Sequence, residues 1–167
     1  MSAQIQAFFD PLSSTYGYVL RDLASQACAI IDPVLDYDPA AGRIGHTSAQ
    51  HIIDYVRAEQ LQVQWLLETH VHADHLSAAV YLQAQLGGRL GIGAQIGVVQ
   101  TSFAKLFNVE ASFACDGSQF DQLFADGSRF KVGELTVHVL HTPGHTPACL
   151  TYLVGDAAFI GDTLFMP

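Results

Sequence analysis

Basic residues are scarce: seven lysines and arginines stand against sixteen aspartates and glutamates, a formal charge of −9. Such a surface repels phosphate backbones and anionic lipid, which argues against nucleic acid and membrane surfaces as partners. No segment approaches the ~20 uninterrupted apolar residues needed to cross a bilayer. Met1 to Asp10 also lacks a basic stretch followed by a long apolar run. The expectation is a soluble, untargeted cytoplasmic protein. Cysteine is sparse too, and Cys28, Cys115 and Cys149 are odd in number, widely spaced and without a C-x-x-C pair. They read as reduced thiols, and in apolar surroundings such as Ala27 to Ile31 as small buried hydrophobes. Proline-rich, repeated and low-complexity stretches are missing, so neither disorder nor a solenoid is indicated.

What is present suits one ordinary domain spanning residues 1 to 167, half of them hydrophobic. Tyr16 to Arg21 and Ala27 to Ile31 read as a hairpin, ended by Asp32-Pro33. Thr47 or Ser48 is a plausible cap for a helix running to about Gln60, with Ile52, Ile53 and Val56 on its apolar stripe. Val63 to Glu68 reads as a buried strand. His75 to Leu86 follows as a helix with Leu76, Ala79, Val80, Leu82 and Leu86 inward, stopped by Gly87-Gly88. A short strand near Leu90 to Ile92 precedes a helix from about Ala94 to Phe107, amphipathic through Ile96, Val99, Phe103 and Leu106. From Ser128 the pattern changes to consecutive antiparallel strands: Arg129 to Val132, Glu134 to Leu140, Cys149 to Val154 and Ala157 to Ile160. The fold class is therefore α/β, in layers.

Three constellations carry chemistry. His70 and His72 are two apart at a strand end, where an extended backbone points both to one side. Asp74 and His75 follow where the helix is expected to begin, a turn that directs a carboxylate and an imidazole to a neighbouring position. Three imidazoles and a carboxylate packed together would repel on protonation, and they have few reasons to be adjacent without a cation. In His141-Thr142-Pro143-Gly144-His145-Thr146-Pro147, proline and glycine enforce a rigid loop that presents His145, while His141 either supports a ligand or is merely packed. The third is Gly161-Asp162-Thr163-Leu164-Phe165, with Asp162 at the end of an apolar strand.

The succession THVHADH, HTPGHTP and GDTLF resembles the metallo-β-lactamase superfamily, and within it the branch of glyoxalase II and the persulfide dioxygenases, which share the approach IDPVL. The resemblance implies an αββα sandwich, of which this chain would supply the first sheet layer with its helices and part of the second. It also implies a binuclear pattern with His70, His72 and His145 on one metal, Asp74 and His75 on the other, and Asp162 between them. A further histidine and the groups that grip glutathione would lie beyond Pro167. The expectation is a chain that lacks its C-terminal portion and leaves apolar surface uncovered near its last strands.

Two reactions follow from the resemblance. A persulfide dioxygenase would hold one Fe(2+) through His70, His145 and Asp162, with His72, Asp74 and His75 around it, and oxidise a glutathione persulfide to sulfite. A glyoxalase II-like hydrolase would hold two Zn(2+) ions and cleave a glutathione thioester, with Asp74 orienting the attacking water. A metal-binding module without turnover is a third possibility, and a homodimer is the expected assembly. The dioxygenase is preferred.

Overall fold

The computed structural model describes Ser2 to Phe165; Met166 and Pro167, where the expected break in the domain falls, lie outside the described residues. Strands β1 (Ala3–Asp10), β2 (Thr15–Asp22) and β3 (Ala27–Ile31) form an antiparallel meander. Two short ribbon strands, β4 (Val34–Leu35) and β5 (Tyr37–Asp38), precede β6 (Arg43–Ile44), which pairs with β5. Helix α1 (Thr47–Ala58) leads to β7 (Gln62–Leu67), which lies parallel to β3. Next come β8 (Leu76–Ser77), α2 (Ala79–Leu86), β9 (Arg89–Gly93), α3 (Ile96–Leu106) and β10 (Gln122–Phe124), with β9 parallel to both β7 and β10. The first sheet thus has six strands in the order β1-β2-β3-β7-β9-β10. The second is antiparallel: β11 (Arg129–Val132), β12 (Leu135–His141), β13 (Leu150–Val154) and β14 (Ala157–Phe159).

Strand β3 explains the layering. All five of its residues are buried, because alternate side chains enter different cores. Ala27, Ala29 and Ile31 face the second sheet with Trp65, Leu67, Val137, Val139 and Tyr152. Cys28 and Ile30 face α1 and α2 with Ile52, Ile53, Val56, Leu66 and Leu82. Trp65 Nε1 donates to the Lys131 carbonyl at 2.9 Å and Tyr152 Oη to the Glu68 carbonyl at 3.0 Å, so the two sheets are also stitched by polar contacts. Helix, sheet and sheet stack in the layered α/β order read from the sequence.

Cys28 and Cys149 are buried and Cys115 is partly exposed, and all three are free thiols. Burial pushes the Cys28 thiol up to about 12, leaving it unreactive. Cys28→Ser and Cys115→Ser are expected to leave metal content and turnover unchanged. In Cys28→Ser a buried hydroxyl should cost about 1–2 kcal/mol of stability by denaturant titration. Loss of metal from either variant would contradict this.

Several expectations are corrected. Met1 to Asp10 drew no strand assignment, yet Ala3–Asp10 is the first sheet's edge strand. The short β10 also went unread. Helix α2 begins at Ala79, not near His75, because Leu76–Ser77 pairs with Val34–Leu35 in an antiparallel ribbon that the local helical spacing does not foretell. In consequence Leu76 (43% exposed) and Val80 (70%) face outward rather than into the core. On α3, Ile96 and Val99 are buried, but Phe103 and Leu106 lie beyond the sheet's cover and are exposed. Near the last strands Leu140, Leu164 and Phe165 are exposed.

Candidate metal centre

The site forms where the loop after β7, the loop after β12 and the turn Gly161–Thr163 meet at one end of the two sheets. His70 is 1% exposed. Its Nδ1 lies 3.0 Å from Thr69 Oγ1, and that hydroxyl donates its own proton to Asp32 Oδ2 at 2.8 Å. With the hydroxyl hydrogen committed, Nδ1 must be the protonated nitrogen, which leaves the Nε2 lone pair free. Among the described residues that buried Nε2 has no hydrogen-bond partner. Asp162 Oδ2 lies 3.8 Å from it and 3.5 Å from His145 Nε2. One ligand atom from each of His70, His145 and Asp162 falls within a 4.8 Å mutual separation, the span of donors around one cation.

Gly161 makes this approach possible. Its φ is +48°, and a Cβ there would collide with Thr69 Oγ1 and crowd His70 Nδ1 to 3.2 Å. His145 is held by its loop: the Thr146 N–H donates to Cys149 Sγ at 3.2 Å, and His141 Nε2 contacts the Pro147 carbonyl at 2.8 Å. His141 therefore braces the loop from behind and does not join the cluster.

The His72 ring lies 4.1 Å from that of His70, but its Nε2 faces other groups. Its Nε2 is 3.3 Å from Asp32 Oδ1 and 3.4 Å from Glu68 Oε2, both buried carboxylates. It also shares a grouping within 4.8 Å with Asp74 and His75, and its ring lies 4.2 Å from that of His75. His75 Nδ1 lies 3.0 Å from the Leu76 carbonyl, which can only accept, so its Nε2 carries the lone pair; that buried atom likewise has no partner among the described residues. Asp74 is exposed in an irregular loop, not at a helix start as expected. The six predicted residues thus converge in two groups, with His72 grouped with Asp74 and His75 rather than with His70 and His145 as the binuclear pattern implies. Orphaned, buried imidazole lone pairs beside carboxylates fit a cation in both.

The electrostatics follow from burial. Desolvation, helped by the charge on His72, holds His70 down to about 4, so it stays neutral as a ligand must. Desolvation and His72 lower His75 as well. For His72, burial opposes the charge, yet Asp32 and Glu68 outweigh it and push the ring up to about 10. Burial raises Glu68 to about 7, with Asp32 adding to the effect and His72 opposing it. Asp32 is lowered despite its burial, chiefly by His72 and the Thr69 N–H.

A raised His72 stabilises the fold fully below its ordinary 6.5, and that contribution fades as pH climbs to about 10. The raised Glu68 acts in the same direction between 4.5 and about 7. The lowered His70 acts the opposite way between about 4 and 6.5 and offsets Glu68 there, so the metal-free protein should lose thermal stability from about pH 7 to about 10, less steeply in His72→Gln. A midpoint that rises over this range would contradict the pairing.

Asp32, Glu68, Thr69 and Gly161 were not singled out from the sequence as site residues. The only local signals were a strand-ending Asp-Pro and an acid closing an apolar strand.

Comparisons with known proteins agree with this architecture. Residues 11–167 match the Metallo-beta-lactamase superfamily. The chain is 52% identical to a probable metallo-hydrolase of Burkholderia pseudomallei over 98% of its own length and 59% of that protein's. It is 44% identical to Glyoxylase B2 of Dictyostelium discoideum, over 99% and 57% of the two lengths. It is 29% identical to the mitochondrial persulfide dioxygenase ETHE1 of Bos taurus, over 97% and 53%. The crystal structure of ETHE1 from Myxococcus xanthus superposes with a TM-score of 0.74 at 28% identity, covering 98% of this chain and 59% of that one. The chain spans less than two thirds of these relatives' lengths. A metal-binding superfamily whose members are mostly metalloenzymes accounts for both histidine groups, and the chain belongs to the metallo-β-lactamase superfamily.

Proposed function

We propose that this chain carries the metal centre of a mononuclear Fe(2+) dioxygenase that oxidises the terminal sulfur of a glutathione persulfide. The observation that carries this reading is the grouping of His70, His145 and Asp162 around one position, while His72, though its ring adjoins that of His70, turns its Nε2 to Asp32 and Glu68. Two histidines and one carboxylate are the ligand set of non-haem iron oxygenases, with open positions for two small reactants. Iron held there would supply the electrons that activate dioxygen. The chain's own part is to orient: Asp32 and Thr69 fix the His70 tautomer, Cys149 and His141 hold the His145 loop, and His72 and His75 border the reacting space. In the balanced reaction the persulfide, dioxygen and water give glutathione, sulfite and two protons. Likeness to the persulfide dioxygenase of Bos taurus supports this choice.

A second reading rests on the grouping of His72, Asp74 and His75 and on the likeness to a probable metallo-hydrolase and to Glyoxylase B2. Two Zn(2+) ions would lower the pKa of a shared water, Asp74 would orient it, and a glutathione thioester would be cleaved. The test is elemental analysis of the anaerobically purified full natural chain, joined to oxygen uptake on added glutathione persulfide. About one iron per chain with uptake is expected; two zincs without uptake would select the hydrolase.

A further inference from the structure

We propose that the apolar patch at the C-terminal end of α3 is a self-association surface, through which two copies of this chain pair about a two-fold axis. Such pairing is independent of the reaction at the metal centre. The first turn of α3 packs Ile96 and Val99 into a core with Ile92 of β9. Phe103, Leu106 and Phe107 continue that stripe at helical spacing, but beyond the sheet's cover they are 39%, 72% and 66% exposed. Val109 and Phe113, in the turn that follows, are 42% and 43% exposed.

The patch is ordered by its own contacts. The Phe103 and Phe107 rings stack, with centroids 5.6 Å apart and 2° between their planes. The Val109 N–H donates to the Ala104 carbonyl at 3.0 Å, which folds the turn back on the helix end. Gln100 Oε1 accepts from the Gly117 N–H at 2.9 Å, and Gln119 Nε2 donates to the Ala114 carbonyl at 2.7 Å, so the returning chain is tied along α3. A surface already held in place gives up little freedom on association.

Charge and area select a second copy as the occupant. Between Ala94 and Cys115 only Lys105 and Glu110 are charged, in a chain of sixteen acidic and seven basic residues. Among the described residues neither forms an ion pair. Two copies repel over most of so acidic a surface, whereas at this patch each brings one charge of either sign. Anionic lipid would meet the same repulsion with a single lysine to offset it. An aromatic side chain carries about 150–250 Å², so the five exposed residues present roughly 400–500 Å² of apolar surface. A standard interface covers about 800 Å² on each partner, about 56–58% of it apolar, or roughly 450 Å². The patch therefore supplies the apolar area of a stable two-fold interface, and Ser102, Asn108 and Ser112 lie exposed beside it for the polar remainder.

The test is sedimentation velocity of the full natural chain across the micromolar range, where a reversible dimer is expected. Leu106→Glu should raise the dissociation constant of the dimer about 100-fold or more, and the neutral Phe107→Ser about tenfold, with circular dichroism and metal content unchanged in both. Leu23→Glu, at a 52% exposed apolar position between β2 and β3, should leave the dimer intact. A monomer at every concentration would overturn the surface, whether nothing binds there or a downstream segment of the chain covers it. A dimer that survives either folded variant, or that Leu23→Glu dissociates equally, would also overturn it by placing the contact elsewhere.

Discussion

Replacing His70 by alanine is expected to strip the full natural chain of its metal and to lower turnover by a factor on the order of 10³ or more, since several kcal/mol of charge stabilisation at the reacting centre would go with the ion. The argument runs from the ring outward. The side chain is buried, its Nδ1 is tied through Thr69 to Asp32, and its Nε2 is an unpartnered lone pair facing Asp162. His70→Gln, which keeps most of the volume, separates loss of the ligand from loss of the fold and should also lose the metal. His72→Ala is the informative contrast. If one ion is held by His70, His145 and Asp162, the variant keeps it and loses about 10- to 100-fold in activity, as removal of a supporting group does. If two ions share the site, metal content drops as well. Metal retained in His70→Ala, measured by elemental analysis, would refute the assignment.

The second large effect is on stability. Asp32 accepts from the Thr69 N–H at 2.7 Å and from the Thr69 hydroxyl, and faces His72 Nε2 at 3.3 Å, all in a buried setting. It also occupies the left-handed region, with φ 48°. Asp32→Ala would leave a buried N–H and a buried imidazole without their partner and would add backbone strain, for an expected loss of about 4–5 kcal/mol in the metal-free protein. Asp32→Asn tolerates the same φ and can still accept from the Thr69 N–H. It loses the charge and one acceptor, so the Thr69 hydroxyl must turn to another partner, while Glu68, relieved of a neighbouring anion, can compensate in part. About 2–3 kcal/mol is expected for it. Guanidinium unfolding checks both values, and a loss below about 1 kcal/mol in Asp32→Ala would show that the residue is not the anchor of this loop.

The ligand candidates were legible because their signal is local. His70, His72, Asp74 and His75 fall within six residues, and Pro143 with Gly144 marks the loop that presents His145. Strand β3 and the second half of β7 were legible because apolar residues fill a stretch that is covered on both faces. The start of α2 was not, since Leu76, Ala79, Val80 and Leu82 repeat with helical spacing while Leu76–Ser77 is claimed by Val34–Leu35, far away in the chain. The exposure of Phe103 and Leu106 was hidden for a related reason: amphipathic spacing says which residues share a face, not how far the sheet beneath them extends.

By itself the sequence determined the layered α/β class, the metal-directed chemistry and the residues that could supply it, because these depend on side-chain type and on near neighbours along the chain. Only the tertiary structure decided how those residues divide. Asp32, 38 positions before His70, meets Thr69 and His72 where β3 ends beside β7, so one buried carboxylate sets the His70 tautomer and pairs with the His72 Nε2. Gly161 reaches Thr69 because the turn after β14 closes over the same sheet end. Contacts of this kind depend on which strands lie side by side and in what register, and residue spacing along the chain does not encode them.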